Sequence, residues 1–130
     1  MHKNYLVAGA LFGGLSVALG AFGAHALQRV TADEKIIHGF QTAVQYQMYH
    51  SLALLTLGIL AEKLPTRLIK WSGICFISGI VLFSGSLYLL TFLKLEESDA
   101  VKFVGPVTPV GGLFFIAGWL VLLGAVVKKK

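Results

Sequence analysis

Charge is what this chain has least of: only 13% of its 130 residues are Asp, Glu, Lys or Arg, about half the usual share of a soluble domain. With 56% hydrophobic residues and a mean hydropathy of +0.78, that scarcity excludes an ordinary soluble fold and reads as one integral membrane domain over residues 1–130. Cysteine is nearly missing as well. Cys75 stands alone in an apolar stretch, so there is no disulfide framework and no thiolate metal cluster, and the thiol is expected to fill space as a small hydrophobe.

Catalytic groupings are also missing. No nucleophile, base and orienting group stand at a spacing that names a reaction, and no phosphate-binding glycine loop occurs, because the glycines follow helix-packing intervals. The chain is therefore expected to be no enzyme, with no catalytic residue, no cofactor and no metal site. As haem ligands, His25 and His50 would differ in depth by roughly 15 Å along their helices. The pair His25 and His38 matches better in depth, but no carboxylate or thiolate completes a metal site there. The net charge of +5 would suggest nucleic acid in a soluble protein. Here the basic residues are divided among helix ends and a three-lysine tail, so nucleic acid is not an expected partner and membrane lipid is. The tail would touch anionic headgroups at about 1 kcal/mol per charge.

What is present in quantity is apolar length. Four stretches, 5–26, 42–61, 68–93 and 110–127, approach or exceed the roughly 20 residues that cross a bilayer. Continuous apolarity without strand alternation leaves helices as the spanning structure. The chain thus reads as an all-α, integral membrane four-helix bundle with short antiparallel up-down connections and helices over about 5–26, 32–62, 68–93 and 109–127. The first run, with Lys3 before it and small residues at 24–26, imitates a secretory signal. It exceeds a signal core of about 7 to 15 residues, which predicts an uncleaved helix.

Seven lysines and arginines fall at the N-terminus, the second connection and the tail, against four in the first and third connections. The positive-inside rule then puts both termini in the cytoplasm of a multi-pass inner (plasma) membrane protein. Tyr5, Trp71 and Tyr88 suit interfacial anchoring. Thr31 with Glu34 forms a capping-box pattern for the second helix. Thr108-Pro109 has the pattern of an N-cap followed by proline at the first position of the fourth. Trp119 falls near mid-membrane, where its N–H needs a partner.

Two patterns carry candidate function. In the first helix Gly9, Gly13, Ser16, Gly20 and Gly23 recur every three or four residues, a small-residue seam for close packing against the second or fourth helix or a second copy. In the second helix His38, Thr42, Gln45, Tyr49 and Thr56 share a stripe about 60° wide, with Tyr46 and His50 on its shoulder. Lipid penalises such groups, so the stripe is expected to face the other helices, whereas Gln47 opposite it would face a second helix or a neighbouring subunit. Topology gathers His25, Thr42, Gln45, Tyr46, Tyr49, His50, Ser84, Ser86 and Tyr88 into the periplasmic leaflet. Such a cluster either fixes helix register through hydrogen bonds or binds a lipid or small solute.

Four ordered motifs carry a family likeness. They are 20–27 (GAFGAHAL), Thr42-Ala43-Val44 with Tyr46-Gln47 and His50, 83–88 (FSGSLY), and 108–112 (TPVGG) with Gly118-Trp119. Together they resemble the YgdD/YwdK-type small inner-membrane proteins, domain-of-unknown-function family 423, over nearly the whole chain and without departure at these residues. The resemblance implies a four-helix membrane protein and supplies no activity. The expected function is that of a non-enzymatic inner-membrane protein, oligomeric or accessory to a membrane-protein partner. Two alternatives stay open: a small permease or proton pathway using His50, Gln45 and Tyr49, and, less favoured, a bis-histidine haem protein.

Overall fold

The computed structural model describes residues 3–128, and the regular structure of these residues is entirely helical. Lys129 and Lys130 of the tail lie outside the described residues. Helix α1 (Lys3–Val30), α2 (Glu34–Leu60), α3 (Thr66–Leu95) and α4 (Val107–Lys128, preceded by the single turn Val101–Val104) follow one another through short connections. Among the described residues three stretches are long and apolar enough to cross a membrane: Lys3–Val30, Thr66–Leu95 and Val101–Lys128. Where the sequence reading counts four apolar stretches, α2 falls outside this set. Its 27 residues reach about 40 Å, so length is not the obstacle. Gln41, Gln45, Gln47 and His50 dilute its apolarity.

The helix ends differ from expectation in instructive ways. Asp33, not Thr31, caps α2, its carboxylate accepting the Lys35 backbone N–H at 2.9 Å. The Thr31 hydroxyl instead accepts the Asp33 N–H at 3.1 Å, so the capping box gives way to a local turn that delivers Asp33. Thr108 is not a cap either. The fourth helix starts at Val107, and the Thr108 hydroxyl turns inward to Ser86, 2.6 Å away. α3 closes on a Schellman motif: Ser98 N–H reaches the Leu93 carbonyl at 2.9 Å and Glu97 N–H the Lys94 carbonyl at 3.2 Å. Glu97 takes the left-handed position (φ 55°) usually given to glycine.

Consecutive helices pack antiparallel, α1 most extensively on α2 and α3 on α4, with α2 against α3 joining the two pairs. Lys3, Lys63, Arg67, Lys70 and Lys128 therefore gather at one end, the terminal end. Arg29, Lys35, Lys94 and Lys102 gather at the other, the far end. Since lipid tails are as apolar as leucine, close van der Waals fit must hold such helices together. Gly111, Gly118 and Ala125, seven apart, make the buried seam of α4 with Phe115 between them. A side chain on Gly111 would run into the Phe83 backbone, and one on Gly79 into the Phe115 ring. The shared apolar core, Leu54, Leu57, Ile69, Phe76, Ile80 and Phe115 among others, lies where α2, α3 and α4 meet.

Two helices each contain one wide π-helical turn, Gly23–Leu27 in α1 and Ile80–Ser84 in α3. Both flank the first half of α2. The bulge in α1 brings Gly23 under the Phe40 ring, and a Cβ there would stand 2.8 Å from it. The bulge in α3 brings the Ser84 hydroxyl to the Ala43 carbonyl of α2, to which it donates at 2.7 Å.

A candidate site on the polar half of α2

Helix α2 carries polar residues on two faces, and the structure seals the one that the sequence stripe leaves out. Gln47 is only 3% exposed and His50 4%. The Gln47 amide N–H donates to the Phe12 carbonyl of α1 at 2.9 Å, and its oxygen accepts from the Tyr88 hydroxyl of α3 at 2.6 Å. One side chain thus ties three helices. Beside it the Ser51 hydroxyl donates to the Gln47 carbonyl at 2.6 Å and the Ser16 hydroxyl to the Phe12 carbonyl at 2.8 Å, so these buried groups find partners.

His50 is held in an aromatic cage of α3 and α4. Its ring stacks on Phe115 at 3.6 Å between centroids and 11° between planes, with Phe76 and Trp119 angled around it. Trp119 Nε1–H points at His50 Nε2 from 3.0 Å. An indole N–H can only donate, so Nε2 must be bare and the proton must sit on Nδ1, which lies 2.7 Å from the Tyr46 carbonyl. The geometry fixes one neutral tautomer and uses both ring nitrogens. A haem or metal would have to displace Trp119, and among the described residues no three His, Cys, Asp or Glu come together.

The predicted stripe takes the opposite side. His38, Gln45, Tyr49 and Thr56 are exposed and Thr42 is half-buried; Tyr49 is 53% exposed. Gln41 belongs to the same exposed face. Tyr46 lies at its edge, 38% exposed, with its ring 4.8 Å from Phe83. Among the described residues, Gln41, Gln45 and the Tyr49 hydroxyl have no hydrogen-bond partner. His25, in the α1 bulge, is exposed at the far end and stands apart from His50. Of the nine residues in the predicted cluster, Ser84, Ser86, Tyr88 and His50 enter interhelical bonds, whereas His25, Gln45 and Tyr49 do not.

The residues sequence reasoning missed as a unit are Gln47, Phe115 and Trp119. Two of them carried a signal: Gln47 did not fit the stripe, and the Trp119 N–H required a partner. The small-residue seam of α1 faces α2: a Cβ on Gly9 would stand 2.8 Å from the Ser51 carbonyl, one on Gly13 3.8 Å from Ser51 Cβ, and one on Gly20 3.4 Å from Val44. Ser16 on that seam is fully buried. Along its far-end half the seam leaves a groove of about 340 Å³ lined by Gly20, Gly23, Phe40, Gln41, Val44 and Gln45. It opens beside the exposed glutamines.

Comparison with known proteins points to the membrane and leaves activity unassigned. The family described as "Protein of unknown function (DUF423)" matches residues 19–112. The chain is 40% identical to the UPF0382 membrane protein YwdK of Bacillus subtilis over 127 residues, covering 97% of this chain and 98% of that one. It is 40% identical to the UPF0382 inner membrane protein YgdD of Escherichia coli K12 over 126 residues, 96% and 91% of the two chains. A UPF0382 membrane protein of Staphylococcus epidermidis (strain ATCC 12228) is 42% identical over 126 residues, 97% of each. No solved structure matches significantly. With three helices suited to spanning among the described residues and the polar residues of α2 inside the matched region, the chain belongs to the DUF423 family of UPF0382 membrane proteins.

Proposed function

We propose that this protein is a non-enzymatic inner-membrane protein that works by assembling in the bilayer, with the open polar face of α2 as its contact surface and a second copy of the chain as its occupant. In this reading the four helices form a single bundle, all four span, both termini are cytoplasmic, and the far end with its exposed glutamines lies toward the periplasm. The charge gathered at the terminal end supports that orientation. The carrying observation is the pair of exposed amides, Gln41 and Gln45, which in this reading stand at a depth where lipid offers no hydrogen bonds.

A second copy suits this face because a glutamine amide is both donor and acceptor and therefore complements itself across a two-fold axis. From Gln41 to Thr56 the face runs about 22 Å along the axis, the footprint of a helix more than of a headgroup. A second reading, a lipid or small solute in the groove beside Gly20 and Gly23, is favoured by its volume of about 340 Å³. A proton pathway through His50, Gln45 and Tyr49 has less support, since His50 is on the sealed face with both nitrogens engaged.

Disulfide cross-linking in native membranes tests the assembly. In a Cys75→Ala background, Gln45→Cys and Tyr49→Cys are expected to yield covalent dimers on oxidation, and Phe114→Cys, exposed on α4, is not. Monomer at both α2 positions would discard the reading. A lipid or solute that copurifies with the wild type and is lost on Gly20→Phe would favour the groove.

A further inference from the structure

Beside the α2–α3 contact at the far end, two lysines line one shallow cleft. Lys35 stands in the first turn of α2 and Lys94 in the last turn of α3, and the cleft between them is floored by Ile36, Gly39, Leu87 and Leu90. Neither ammonium forms an ion pair among the described residues, although five acids, Asp33, Glu34, Glu96, Glu97 and Asp99, belong to the same end of the chain. The backbone of each lysine is pinned. Asp33 holds the Lys35 N–H, and the Schellman turn closes on the Lys94 carbonyl, so both side chains start from fixed points on neighbouring helices.

Two unpaired cations above an apolar floor, where helices leave the membrane, make a receptor for an anion that carries a hydrocarbon chain. Phosphate accepts from two ammonium groups at once. Gly39 adds no side chain between them, with nothing within 4 Å of where its Cβ would be. The Ile36, Leu87 and Leu90 surface continues from the cleft toward the span, where an acyl chain would lie. The Thr91 hydroxyl in the cleft wall is already donated to the Leu87 carbonyl at 2.9 Å, which leaves recognition to the lysines. The geometry points to a phosphate-binding site at Lys35 and Lys94, filled by the headgroup of an anionic phospholipid. It is separate from the glutamine face and stands whether or not that face holds a second copy.

Native mass spectrometry of the full chain released from mixed nanodiscs of phosphatidylglycerol and phosphatidylcholine tests it. Wild type should retain phosphatidylglycerol in preference to phosphatidylcholine. Each of Lys35→Gln and Lys94→Gln should weaken retention about fivefold, the effect of one lysine beside an anionic headgroup, and the double variant roughly 25-fold. The double variant Arg67→Gln/Lys70→Gln, which removes equal charge at the terminal end, should keep the preference. Excess inorganic phosphate that leaves retention unchanged supports the lipid source; displacement by phosphate keeps the site and assigns it to a soluble phosphate. Equal retention of the two lipids by wild type overturns the site, and so does unchanged retention in K35Q/K94Q or equal loss in the Arg67/Lys70 control.

Discussion

The two polar faces of α2 differ in one respect that separates structure from function: the sealed face is matched inside the chain and the open face is not. On the sealed face Gln47 binds Phe12 and Tyr88, and His50 binds Trp119 and Tyr46. On the open face Gln41, Gln45 and Tyr49 reach outward with no partner among the described residues. A buried network that is fully satisfied fixes how helices sit against one another and leaves little for a ligand to take. A row of amides without partners among the described residues has the opposite character, since in lipid its hydrogen bonds would have to be completed from outside the chain. Substitutions on the first face should therefore change folding, and those on the second should change association.

The largest effect is expected at the cage. His50→Ala leaves a void between Phe76, Phe115 and Trp119 and strips the indole N–H of its acceptor. The cavity and the orphaned donor together should cost about 3 kcal/mol or more, read as a lowered midpoint of thermal unfolding in micelles. Trp119 supplies a second readout, because its emission should shift when its hydrogen bond and its edge-on contact with the His50 ring are lost. Next comes Gln47→Leu, which keeps the volume but leaves the Tyr88 hydroxyl unmatched and removes the α2 bond to the Phe12 carbonyl, which Ser16 still reaches, at about 1 to 3 kcal/mol. Tyr88→Phe removes one bond of that pair and spares the Phe12 contact, so it should cost about 0.6 to 1.7 kcal/mol. A Tyr88→Phe effect as large as that of Gln47→Leu would mean that the Phe12 bond contributes nothing.

The same comparison explains what could be read from the sequence and what could not. The helices of α1, α3 and α4 were legible because long apolar runs have no other stable form in lipid, and the seam of α1 was legible because small residues at spacings of three and four lie on one side of a helix. The rotation of α2 was not. Periodicity places His38, Gln45, Tyr49 and Thr56 together but does not say which way they turn, and the inward choice rested on the cost of showing them to lipid. That cost is avoided equally well by a partner outside the chain, which a single sequence does not reveal. The inward side was decided by Gln47, whose amide spans the gap between Phe12 and Tyr88. The α2 cap was misread for a local reason: Thr31 and Asp33 both had the chemistry, and the Thr31 hydroxyl was taken up by the Asp33 N–H.

The smallest effect on folding is expected at Gln45, and that smallness makes it the sharpest test of the contrast. Gln45→Leu replaces an exposed amide that has no hydrogen-bond partner among the described residues with an apolar side chain of similar size. The unfolding midpoint of the monomer should move by no more than about 0.5 kcal/mol, and burying less polar surface in lipid should if anything raise it. Association should fall, because the self-complementary amide pair is gone and each such bond contributes about 0.6 to 2 kcal/mol in a bilayer. Fluorescence energy transfer between labelled chains in liposomes, diluted with lipid, would read this as a shift of the dissociation curve to higher protein density for Gln45→Leu and no shift for Tyr88→Phe. If Gln45→Leu lowered monomer stability as much as Gln47→Leu does, the outward orientation of this face would be wrong. The predicted cluster would then have to be rebuilt with the stripe inside.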